Sequence, residues 1–292
     1  MKRRNYLLTT AAAAVLASIV AATGWFSPAV AGPAAGATVS AAATPLPNVN
    51  MEATVKAAQI DPRRADDTLT PGAKSSVLLV EQALEAKHFL DAQWVDGYFG
   101  TKTVDAYAQF QESLGYTGLD ANGLPGTTSL TALGQGRFNV TYAIGPGSRI
   151  DLGGGIIINS RTQDMLAEAD LLLNRTLTLS QGSYNPGGDP TSAGTHDGGG
   201  VVDVSVDGMS AATRTQVATV LRQIGFAAWI RNPSQADWPW HIHAVAISDT
   251  DLSTQAQNQV GDYYLGMNGL ANRGPDDGPQ VTIRTWEEYQ RL

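Results

Sequence analysis

Apolar side chains return at helical spacing from Ser75 onward, where Val77, Leu78, Val80, Ala83 and Leu84 form a stripe that ends near Phe89. A second stripe follows in Val104, Tyr107, Ala108, Phe110 and Leu114, and a third, shorter one in Leu130 and Leu133. Gly97, Gly100, Gly115, Gly118, Gly123 and Gly126 fall between the stripes and mark turns. Residues 73–134 are thus predicted to form a three-helix unit, near the lower size limit for folding alone. Beyond it the pattern shortens and mixes. Phe138 to Tyr142 could open the next strand at the edge of a linker over 135–150, and Ile156-Ile157-Ile158 suits a buried strand. Arg161 to Leu173 has helical spacing through Met165, Ala169 and Leu172. Leu177 to Leu179, Val201 to Val206 and Trp240 to Ile247 read as strands, with a helix from Ala211 to Ile224 between the last two. Strands and helices without regular alternation predict an α+β domain over 151–292. Its tail reads as a helix from Ser253 to Leu265, a Gly/Pro/Asp loop near Arg273 to Pro279 and a short terminal strand or helix.

The start of the chain has another character. Lys2, Arg3 and Arg4 precede an apolar run from Leu7 to Ala22, and Ala29-Val30-Ala31 supplies the small residues of a cleavage site, so 1–31 reads as a secretory signal peptide. Arg3-Arg4-Asn5-Tyr6-Leu7 resembles a twin-arginine export signal. The run is shorter than the roughly 20 residues that span a bilayer, and no second one follows, so stable membrane insertion is not expected. Residues 32–72, rich in Ala, Thr, Pro, Gly and Asn, are predicted to be a flexible tether with room for a short helix around Met51 to Gln59.

Composition narrows the chemistry. The 292 residues are 43% hydrophobic, enough for real cores, and contain no Cys, which excludes disulfides, thiolate metal sites and a cysteine nucleophile. A formal charge of −8, with no Lys/Arg run beyond the extreme N-terminus, argues against nucleic acid as a partner.

The turns of the three-helix unit carry a pattern. Asp96-Gly97-Tyr98-Phe99-Gly100-Thr101-Lys102-Thr103, followed by Ala106-Tyr107-Ala108-Gln109-Phe110-Gln111, resembles the peptidoglycan-binding three-helix family. Asn122-Gly123-Leu124-Pro125-Gly126-Thr127-Thr128 with Leu130 to Leu133 repeats the theme. The resemblance implies peptidoglycan as partner and a cell-wall location for a secreted protein. Read physically, the same residues are scaffold: Gly97 and Gly100 permit tight turns, Thr101 or Thr103 caps the second helix, and Phe110 packs in a core.

Four histidines occur, at 88, 196, 241 and 243. His88, alone near the end of the first helix, reads as a surface or capping residue. His196 lies in Gly194-Thr195-His196-Asp197-Gly198-Gly199-Gly200, where glycines let the backbone pass close to another group. Asp203 sits within a Val-rich strand, where an ionised carboxylate is costly without a partner. In Trp240-His241-Ile242-His243, strand alternation sends both imidazoles to one face. Imidazole and carboxylate without thiolate suit a three-ligand zinc site, although an H-x-H pair and a hydrogen-bonded buried acid satisfy the same spacing without metal.

These segments resemble the zinc D-alanyl-D-alanine carboxypeptidase family, related in fold to lysostaphin and the hedgehog signalling domain. His196, Gly199 and Asp203 match its first motif in spacing, and His241-Ile242-His243 matches its last. The resemblance implies a Zn2+ cofactor held by His196, Asp203 and His243, with His241 as catalytic base. Gln181, Ser183 and Tyr184 stand where that family carries polar cleft residues. The family serine before the first His is replaced by Gly194, and its substrate-carboxylate arginine has no clear match; Arg175, a substrate-binding candidate, and Arg161 are possible, and Arg231 could reach the site from elsewhere. Trp238 and Trp240 read as core residues by default. Two functions follow as expectations. One is a secreted zinc peptidase hydrolysing D-alanyl or crosslink bonds of peptidoglycan stem peptides. The other is a non-catalytic peptidoglycan-binding protein whose metal site is structural, as it would be if His241 were a fourth ligand, or vestigial.

Overall fold

The structure, a computed structural model, describes residues 44–292. The signal peptide read over 1–31 and the first part of the tether lie outside the described residues. In chain order the elements are β1 (Asn48–Asn50), α1 (Met51–Ile60), α2 (Lys74–Glu85), α3 (Thr101–Ser113), α4 (Thr127–Leu133), β2 (Asn139–Thr141), β3 (Arg149–Asp151), β4 (Ile157–Asn159), α5 (Ser160–Leu173), β5 (Leu179–Gln181), β6 (Val201–Ser205), α6 (Ala211–Ile224), β7 (Phe226–Arg231), β8 (His241–Ala246), α7 (Thr254–Tyr264) and α8 (Trp286–Gln290). This mixture of helices with a largely antiparallel strand arrangement is compatible with the α+β expectation.

The tether assignment is corrected from Pro45 onward. Asn50 caps α1, its side chain accepting from Ala53 N, and β1 pairs in parallel with β2. Val49, Met51, Val55, Ala57 and Ala58 are buried in the core. An Ala-rich composition suggested too little apolar surface, yet small side chains let α1 lie close against α7, where a Cβ on Gly261 would collide with the Gln59 carbonyl. The linker assignment fails for a similar reason: Asn139–Thr141 is paired strand, and Ile144 is buried with its carbonyl accepting from Thr127 Oγ1 at 2.8 Å.

Two buried carboxylates shape the turn between α2 and α3. Glu81 Oε2 accepts from Asp96 N and Gly97 N at 3.0 and 2.8 Å, and Asp61 Oδ2 accepts from Phe99 N at 3.1 Å. Gly97 has φ +87°, a conformation that favours glycine. The N-cap of α3 is Gly100 and not a threonine; Thr103 instead donates to Glu81 Oε1 at 3.1 Å. Phe99 of the turn and Tyr107 and Phe110 of α3 are buried and serve as core.

The four-stranded sheet runs β5-β6-β8-β7, antiparallel throughout. One face, with Val202, Val204, Ile242 and Ala244, packs with residues of α5 and α6 such as Met165, Ala169, Val217 and Leu221. On the other, Val201, Ala227, Trp229 and Val245 share one continuous core with α7 and with α1 to α4. Pro45–Leu292 is accordingly one compact unit, not a helical domain and a peptidase-like domain joined by a linker. β7 has no counterpart among the expected strands: buried at five of six positions, Phe226–Arg231 lacks the polar alternation that marks a half-exposed strand.

Candidate metal centre

The register of β6 and β8 sets Asp203 directly opposite His243, and that of β7 and β8 sets Trp229 opposite His243 and Arg231 opposite His241. Alternation then puts Asp203, His241, His243, Trp229 and Arg231 on the face toward α7. His196 arrives separately, on a single 3-10 turn over Thr195–Asp197. The glycines after it are forced by packing. A Cβ on Gly198 would collide with the backbone at Asp251 and Ser253, and Gly200 has φ +73° against Asp249.

Asp203 Oδ1 lies 3.3 Å from His196 Nε2 and 2.9 Å from His243 Nδ1. The three ligating atoms all fall within 4.8 Å of one another, and all three residues are buried. Each imidazole is oriented from behind. His196 Nδ1 lies 2.7 Å from the Gly182 carbonyl, which can only accept, so His196 donates there and in the neutral ring Nε2 carries the lone pair. That Nε2 is buried and has no hydrogen-bond donor. An unprotonated nitrogen facing a carboxylate oxygen lacks a positive partner, and a cation between them supplies it.

The protonation states suit ligation. Burial opposes ionisation of Asp203, but hydrogen bonds and charge from His196 and His243 outweigh it and hold the carboxyl far below its usual range. Burial lowers the His243 pKa despite the opposing pull of Asp203. The hydrogen bonds that hold Asp203 ionised place a proton between it and the imidazoles, and a bound metal would take that proton's place. His196, Asp203 and His243 could hold a metal ion.

The cluster lies on the wall of a cleft of about 690 Å³. His241 lines it, with Nδ1 2.8 Å from the Pro239 carbonyl and Nε2 3.8 Å from Asp203 Oδ2. Nδ1 is therefore the donor, and the Nε2 lone pair faces the cluster. Arg231 is buried over the Trp229 ring, its Nη1 donating to Asn268 O at 2.9 Å while Nη2 has no partner among the described residues. Burial pushes its pKa down to about 10, so it remains a cation at neutral pH. Gln181 Nε2 is a second buried, unpartnered donor lining the cleft.

Other expected cleft residues are elsewhere. Ser183 Oγ donates to Val201 O at 2.6 Å and accepts from Val201 N at 3.0 Å, stitching the segment after β5 to β6. The Tyr184 hydroxyl donates to Asp251 Oδ2 at 2.6 Å, and its ring lies under Arg149, outside the cleft. Arg175 is exposed beyond α5 and does not line the cleft. Arg161 is spent on Glu287 and the Ile247 carbonyl. The two tryptophans are not core. Trp238 lines the cleft and packs edge-on to His241, and Trp240 is 47% exposed beneath Arg214.

Sequence reasoning missed Gln259 on α7 and the loop Gly269 to Asn272, which line the cleft from the far side. The unexplained Asn-Gly and Arg-Gly-Pro punctuation after α7 was the only signal, and it marked a loop without showing where the loop lies. Comparison with protein-family models, curated proteins and solved structures finds no match.

Proposed function

We propose that the protein is a secreted metal-dependent peptidase acting on peptidoglycan stem peptides, with Zn2+ as the ion. The observation that carries this is the convergence of His196 Nε2, Asp203 and His243 Nδ1 on one wall of an open cleft, with His241 Nε2 beside them but outside the three-residue group. Three protein donors of imidazole and carboxylate type, with room left over, match catalytic better than structural zinc sites. When bound, zinc supplies Lewis acidity, polarising a carbonyl and making water acidic enough to be a nucleophile near neutral pH.

The chain's own residues supply the rest. His241, with its proton fixed on Nδ1 by Pro239 O, can take a proton on Nε2 and pass it to a leaving amine. Arg231 Nη2 and Gln181 Nε2 offer donors to a carboxylate and a carbonyl of a bound peptide. This supports Arg231, and neither Arg175 nor Arg161, as the carboxylate-binding residue. Gln235 to Pro239, Trp238 among them, wall the cleft and would help exclude water. The turn pattern of 73–134 supports retention on the wall polymer, which raises the effective concentration of substrate.

The test is digestion of labelled muropeptides by zinc-loaded protein with identification of the products. Released D-alanine or shortened crosslinked fragments are expected. Unchanged muropeptides, with zinc shown to be bound, would exclude catalysis. One observation favours a second reading: His241 Nε2 points at Asp203 Oδ2 and would close the site if it ligated. The protein would then be a wall-binding protein with a structural metal.

A further inference from the structure

Each imidazole of the donor set has a second ring nitrogen, and what that nitrogen meets decides which one is left for a cation. His196 is oriented by main chain, the Gly182 carbonyl. His243 is oriented by a side chain from another element: Gln259 Oε1 lies 2.9 Å from His243 Nε2. An amide can meet an imidazole as donor or acceptor, so that contact alone does not fix the ring. The other end of the amide does. Gln259 Nε2 lies 3.1 Å from the carbonyl oxygen of Gly269, which can only accept. Nε2 is therefore the donor end, Oε1 must accept from His243 Nε2, and in the neutral ring the Nδ1 lone pair is directed at the cluster, 2.9 Å from Asp203 Oδ1.

The Gly269 carbonyl is itself held in place. Gly269 has φ +64°, and a Cβ there would sit 2.9 Å from the Trp229 ring, so the loop lies flat on an indole that stacks against His243. Its neighbour Asn268 gives its carbonyl to Arg231 Nη1. Further along, Asp276 takes a two-pronged grip from buried Arg222, at 2.8 Å on each side. A segment remote in sequence from every ligand thus ends on the ring that carries one.

We propose that Gln259 is the positioning residue of the metal centre: with its amide oriented by the Gly269 carbonyl, it holds His243 in the tautomer that presents Nδ1 to the ion. This rests on the reading of His196, Asp203 and His243 as metal ligands.

The experiment measures zinc dissociation constants of the full chain by competition with a chromophoric chelator, together with thermal midpoints of the metal-free proteins. Gln259→Met keeps the volume and removes both hydrogen bonds; zinc binding is expected to weaken about ten- to hundredfold. Gln259→Glu keeps an oxygen facing His243 Nε2 and is expected to bind within a few-fold of the parent. A residue that only packs would show the reverse, with Met tolerated and a carboxylate beside the Gly269 carbonyl harmful. Parent-like affinity in Gln259→Met, or equal losses in both variants, overturns the proposal. Should Gln259→Met fail to fold, Gln259→Glu decides: near-parent affinity supports the role and a loss as large as a hundredfold removes it. A parent that binds no zinc overturns this proposal and the metal-centre reading together. A parent that binds zinc but cleaves nothing removes the peptidase reading alone.

Discussion

At the scale of single residues, the proposed function gives Asp203 and His241 different parts. Asp203 is the only anion of the donor set and touches both imidazoles. Asp203→Asn removes that charge at nearly constant volume, and zinc content measured by metal analysis is expected to fall at least about tenfold. His241 contacts the set only at 3.8 Å, through Asp203. His241→Ala is expected to keep the parent's zinc and to lose about 10²–10⁴-fold in muropeptide hydrolysis, the usual worth of a general base. Loss of zinc along with the side chain would instead mark His241 as a fourth ligand and the site as closed.

At the scale of elements, the turn joining α2 to α3 is built on acids where neutral groups would have been safer. Burial pushes the Glu81 carboxyl up to about 7, with hydrogen bonds from Gly97 and Thr103 only partly offsetting it. Burial likewise raises Asp61. The folded state therefore holds the Glu81 proton to higher pH than the unfolded chain, in which Glu titrates near 4.5. Its contribution to stability is fully present below that value and is lost as pH rises through about 7, a decline of about 3 kcal/mol. A glutamine side chain at this position could accept from Asp96 N and Gly97 N with its oxygen and donate to Thr103 Oγ1 with its nitrogen. Urea titrations of Glu81→Gln across this pH range should accordingly show most of the decline removed; an unchanged slope would place the titrating group elsewhere.

For the whole molecule, the core shared by α1 to α4, α7 and the sheet ties the helices of 45–134 to the face that carries the cleft. Met51 is fully buried, its sulfur against Ile144 N, so Met51→Ala is expected to cost about 2–5 kcal/mol in urea unfolding. A true tether residue would cost almost nothing. The Arg222–Asp276 pair joins α6 to the loop after α7, both side chains nearly inaccessible. Asp276→Ala leaves the Arg222 charge buried and unpaired, and a loss of about 3–5 kcal/mol is expected from the same measurement.

Periodicity made much of this legible before any coordinates. The helical stripes of α2 to α6 and the valine-rich β6 are set by which face each element must bury, a property of neighbouring residues alone. The H-x-H spacing on β8 and Asp203 on β6 likewise follow from alternation within a strand, so three of the cleft's polar groups could be named early. What the sequence could not decide was which separate segments meet. Arg231 lay in a strand without alternation, and Gln259 and Gly269 lay in a tail with no motif. Ser183, Tyr184 and Arg175 stood at plausible spacings but turned to other partners. Local pattern determined the elements and the face each side chain takes. Only tertiary packing, through strand register and the closing of α7 and its loop over the sheet, determined which of those faces enclose one cleft, because those contacts join residues far apart in the chain.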